Sequence, residues 1–104
     1  MGILSNVDEE LIPVLPQFFE NLAADMEELK QKLEEQDGDA VESIIHKIKG
    51  YAGSWGFPDM HEIAVEFEKN VKARNWASVD SNMETLEKKI EEIEKAAEQE
   101  LNDQ

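Results

Sequence analysis

Apolar residues recur every three or four positions through most of this chain, the period of a helix that buries one face. Leu15, Phe18 or Phe19, Leu22, Met26, Leu29 and Leu33 form a first seam, predicting a helix from about Pro16 to about Gln36. The two adjacent phenylalanines cannot both face one seam, so the second ring either covers the core edge or adds to a docking surface. Val41, Ile44, Ile45, Ile48, Ala52 and Trp55 form a second seam, and Met60, Ile63, Ala64, Phe67 and Val71 a narrower third. Val79, Met83, Leu86, Ile90, Ile93 and Ala97 form the last.

The residues between the seams are helix punctuation. Asp37-Gly38-Asp39 reads as a stop, a turn and a new cap, Phe57-Pro58-Asp59 as a break that opens the next helix, and Asn75 as a cap for the last. Near the start, Ser5 or Asn6 caps a short helix with Asp8, Glu9 and Glu10 in its first turn, interrupted by Pro13 and Pro16. The expected architecture is all-α: an antiparallel four-helix bundle with a short leading N-terminal helix. It fills a single domain, 1–104, with a core from about 7 to 97 and a C-terminal end that frays.

The second helix departs from a plain bundle helix. Opposite its core face lies His46, with Lys49 three residues on, Gly50 four on and Gly53 seven on, the offsets that share a helix face. Each interior glycine costs a helix about 0.8–1.0 kcal/mol relative to alanine. The use that offsets this cost is close approach: another backbone, or a group the size of phosphoryl, can reach the imidazole. A neutral imidazole is a competent nucleophile toward phosphorus, and Lys49 supplies positive charge one turn away.

Charge narrows the partners. With 25 acidic and 10 basic residues the net charge is −15, which repels nucleic-acid backbones and anionic lipid. Residues 1–37 carry 2 basic and 10 acidic residues, and residues 77–104 carry 3 and 9, whereas residues 38–76 carry 5 and 6. The near-neutral segment is the one that holds His46, where a dianionic group is best tolerated. No cysteine is present, so no disulfide or thiolate metal site is expected, and a reducing cytoplasm is the natural compartment. No signal peptide, spanning helix or myristoylation motif is expected; Asn6 stands where the last needs Ser or Thr.

The run His46-x-Ile48-Lys49-Gly50-x-Ala52-x-x-x-Gly56 resembles the signature of histidine-containing phosphotransfer (HPt) domains. Leu15-Pro16-x-Phe18-Phe19, Ala64-x-x-Phe67-Glu68 and Ala73-Arg74-Asn75-Trp76 are similar to that family's flanking helices, and roughly residues 7–95 are covered. The resemblance implies a phosphocarrier of two-component phosphorelays rather than an enzyme. His46 is the phosphoryl acceptor, at Nε2, Lys49 offsets the phosphoryl charge, and Glu68 bonds the other imidazole nitrogen. Ser43, Lys47, Gly50 and Gly53 then centre a surface for receiver domains of response regulators or hybrid kinases. The chain needs no cofactor of its own, Mg²⁺ belonging to the receiver, and the family resemblance favours a monomer. Tyr51 departs from the pattern, which has a small residue there, and its ring is expected at the core edge with the hydroxyl outward. Glu42, one turn before His46, suits a phosphoryl neighbour only if it points aside.

Two other classes stand beside this reading. One is a helical adaptor that binds a receiver or a partner helix without covalent chemistry. The other is a divalent-metal bundle using acidic residues with His46 and His61, weakened because neither histidine sits in a Glu-x-x-His pair on a core face. His61 otherwise reads as a surface residue.

Overall fold

The computed structural model describes residues 2–103. Four helices follow one another: α1 (Leu15–Glu34), α2 (Gly38–Trp55), α3 (Pro58–Lys72) and α4 (Trp76–Asn102), with a single 3₁₀ segment, Glu9–Val14, leading into α1. Among the described residues there is no strand. Short connections make each helix antiparallel to the next, and the bundle closes around the four expected seams. Val41, Ile45, Ile48, Ala52, Met60, Ala64, Phe67, Val71, Val79 and Leu86 are sealed from solvent.

Local chemistry sets the boundaries. The leading element is 3₁₀ and capped by Asp8, whose carboxylate accepts from the Glu10 N–H at 2.9 Å, in place of the expected Ser5 or Asn6. Pro13, inside it, has no N–H to donate, which keeps the element short. Between α1 and α2 the left-handed residue is Gln36 (φ 60°), not Gly38. Asp37 caps α2 by accepting from the Ala40 N–H at 3.1 Å, and Gly38 is already helical. A Cβ there would sit 2.5 Å from the Arg74 guanidinium, the end of a flexible, half-exposed side chain that can move aside. Gly56 ends α2 in the left-handed region (φ 87°), where a Cβ would run into the Asn6 carbonyl oxygen. Pro58 opens α3, and Asn75 caps α4 through the Ser78 N–H, as the punctuation predicts.

Both phenylalanines at the start of α1 are buried. One seam does not hold them; two do. Phe18 stacks on Trp55 with centroids 4.4 Å apart and reaches Phe57 at 5.6 Å, while Phe19 turns edge-on to Phe18 and meets Phe57 from the other side at 6.1 Å. The core also runs further along the chain than 7–97. Leu4 is buried, Leu101 packs against the core, and the Glu100 carboxylate accepts the backbone N–H groups of Ile3 and Leu4. Past Ala97, α4 continues to Asn102. Its last turns have a partner in the N-terminal segment, and that contact could not be read from the periodicity of α4 alone.

Candidate functional site

The site is built where α2 and α3 face each other, on the side of α2 away from its core stripe. Glu68 of α3 is the one buried charged residue among the described residues, at 4 % exposure. A carboxylate is buried only when its charge is met, and here it is met from both helices. The Lys49 ammonium donates to Oε1 at 2.6 Å, His46 Nδ1 lies 2.8 Å from Oε2, and the Lys72 ammonium stands 3.8 Å from the same oxygen. Burial alone pushes the Glu68 pKa up. The hydrogen bonds from Lys49 and His46, with the charges of Lys49 and Lys72, more than offset that and hold the carboxyl below its ordinary range.

An ionised carboxylate only accepts, so the proton between Glu68 and His46 belongs to Nδ1 of the imidazole. In the neutral ring the tautomer follows: Nδ1 is N–H and Nε2 carries the lone pair. The His46 side chain is 68 % exposed, so that lone pair sits on a ring open to solvent. One turn on, a Cβ at Gly50 would meet nothing within 4 Å, which is the cleared approach the glycine predicts.

The residues singled out from the sequence sort into two groups. His46, Lys49 and Glu68 converge on one hydrogen-bonded cluster. Ser43 and Glu42 line an open groove of about 370 Å³ with Asp39, His46, Glu68 and Lys72. Lys47 turns the other way, toward α1, and pairs with Asp25 at 3.0 Å, a hydrogen bond that raises its pKa. The space over Gly53 is not open: a Cβ there would lie 3.2 Å from Nδ1 of His61, which is half-buried rather than on the surface. Among the described residues no group of three or more His, Cys, Asp or Glu side chains is arranged to hold a metal ion. No helix among them is long and apolar enough to cross a membrane.

Sequence reasoning missed Lys72. It stands four residues after Glu68 on α3, a spacing that brings two helical side chains together. Its place was legible once Glu68 was.

An exposed, tautomer-fixed imidazole beside a charge-balanced carboxylate and two lysines is equipped to take and release an anionic electrophile. The chain matches the family model of the Hpt domain over residues 13–101. It belongs to the Hpt-domain family, whose members are phosphocarriers of two-component signalling rather than kinases. No curated protein and no solved structure shows a significant match to it.

Proposed function

We propose that His46 accepts a phosphoryl group at Nε2 from the aspartyl phosphate of a receiver domain and passes it to, or takes it back from, a response regulator. The observation that carries this is the bond from His46 Nδ1 to Glu68, because it leaves Nε2 as the free nucleophile. The lone pair attacks phosphorus, the bond from phosphorus to the aspartyl oxygen breaks, and the partner's carboxylate leaves. The ring keeps its Nδ1 proton and becomes an imidazolium, whose new charge the Glu68 carboxylate offsets. A ring that keeps that proton is also a good leaving group, so transfer onward follows the same path in reverse.

Phosphoryl transfer is mostly positioning and charge neutralisation, and this chain supplies part of each. Lys49 and Lys72 offset the phosphoryl charge, and the partner brings the Mg²⁺. The receiver approaches over Gly50 and the exposed turn around Ser43. Tyr51, next to Gly50, lines an open groove of about 280 Å³ with Val14, Gln17, Phe18, Asn21 and Trp55, which gives the receiver an apolar foothold beside the histidine. The chain works as a monomer in the cytoplasm, a compartment its lack of cysteine suits.

The test is transfer of radiolabelled phosphoryl from a phosphorylated receiver to the wild-type chain and to His46→Gln. Acid-labile label on the wild type alone is the expected result. Equal label on both chains, or none on the wild type from a broad panel of receivers, refutes the proposal, and receiver binding that survives in His46→Gln without transfer by the wild type favours the adaptor.

A further inference from the structure

His61 lies on α3, at the far edge of the site. Its Nδ1 is 3.1 Å from the carbonyl oxygen of Lys49 in α2. A carbonyl oxygen only accepts, so Nδ1 carries the proton and donates it. The second histidine of the chain is thereby held in the same tautomer as the first, by a main-chain partner rather than a carboxylate.

The place of that bond matters. Lys49 directly precedes Gly50 and stands four residues before Gly53, so its carbonyl belongs to the part of α2 with the least conformational restraint. His61 covers this stretch. A Cβ at Gly53 would lie 3.2 Å from its Nδ1 and 3.5 Å from its Cε1, so the absent side chain makes room for the imidazole of the neighbouring helix. His61 and Glu68 are seven residues apart, two turns and about 10 Å along the same face of α3. Lys49 is therefore held at both ends by one helix, its carbonyl by His61 and its ammonium by Glu68.

We propose that His61 is a positioning residue for phosphoryl transfer. Its Nδ1–H bond to the Lys49 carbonyl pins this turn of α2 to α3, so that Glu68 stays in register with both the Lys49 ammonium and His46 Nδ1. His61 does not touch the phosphoryl group. The role rests on the phosphocarrier reading, while the tautomer and the register do not depend on it.

Two variants and two readouts test this. His61→Asn keeps an N–H donor near the position of Nδ1; His61→Leu keeps bulk and removes the donor. Ring-nitrogen NMR, at a pH where both imidazoles are neutral, reports each tautomer. Phosphorylation by phosphoramidate reports His46 chemistry without a receiver. In the wild type His61 is expected as the Nδ1–H form. His61→Leu is expected to shift His46 toward the Nε2–H form and to slow phosphorylation about two- to tenfold, the worth of one hydrogen bond. His61→Asn should restore both. An Nε2–H form of His61 in the wild type overturns the proposal. So does a Leu variant with unchanged His46 signals and rate, or an Asn variant as impaired as Leu. A wild-type chain that phosphoramidate does not phosphorylate refutes the phosphocarrier reading instead, and the His46 ring signals of the variants then still decide whether His61 sets the register.

Discussion

Replacing Gly50 by alanine separates what this glycine costs the fold from what it does for a partner. A Cβ at Gly50 meets nothing within 4 Å, so the substitution adds no clash. It removes the helix penalty of glycine, about 0.8–1.0 kcal/mol. In a domain of about 100 residues that gain raises the melting temperature by about 4–8 °C. Gly53→Ala has the same intrinsic gain, but its new methyl stands 3.2 Å from the His61 ring, which must shift and lengthen its bond to Lys49. Its net stabilisation should be smaller. Thermal unfolding followed by circular dichroism checks the pair. Function should move the opposite way for Gly50. Transfer from a phosphorylated receiver slows in Gly50→Ala and is lost in Gly50→Glu, whereas phosphorylation by phosphoramidate, which needs no docking surface, persists in Gly50→Ala. A destabilised Gly50→Ala would show that the space is not free. A Gly50→Glu chain that folds and accepts phosphoryl from the receiver at the wild-type rate would refute the cleared-face reasoning.

The charged groups of the site and the seal between the two ends of the chain can be tested separately. Because the folded Glu68 pKa is lowered, the stability it contributes is fully present above the pKa of the unfolded chain and is lost as pH falls through the folded value. Glu68→Gln should therefore lower stability at neutral pH by about 1.5–3 kcal/mol, and flatten the acid limb of a denaturant-midpoint profile. Lys72→Gln removes a charge near the incoming phosphoryl group, worth about 1 kcal/mol in water, so acceptance should slow about fivefold. Lys49→Gln should cost more, since it also frees Glu68, and added salt should narrow the gap between wild type and Lys72→Gln. Glu100→Ala leaves the Ile3 and Leu4 N–H groups without their acceptor; a loss of about 1–2 kcal/mol and faster amide exchange at those two positions are expected.

The four helices were legible because their seams keep a regular period, and helix ends marked by Pro58 and Asn75 fell where local chemistry places them. His46, Lys49 and Gly50 were legible for the same reason: residues three and four apart on one helix must share a face. What escaped the sequence depends on a second element. Gly38 read as a turn residue, but it lies inside the first turn of α2, and Gln36 takes the left-handed conformation instead. Gly53 read as open to a partner, but it is bare to admit His61. A glycine signals close approach without saying what approaches. Leu4 and Glu100 belong to the core and its seal through a contact between the two ends of the chain, and no periodicity within either end reports it.

In the proposed mechanism Glu68 holds the His46 proton on Nδ1 and so makes Nε2 the phosphoryl acceptor. NMR of the phosphorylated chain, with the histidine ring nitrogens labelled, tests it most directly. Phosphorus coupled to Nε2 of His46, with the proton retained on Nδ1, is the expected result. Phosphorus on Nδ1, or on any other residue, would contradict it.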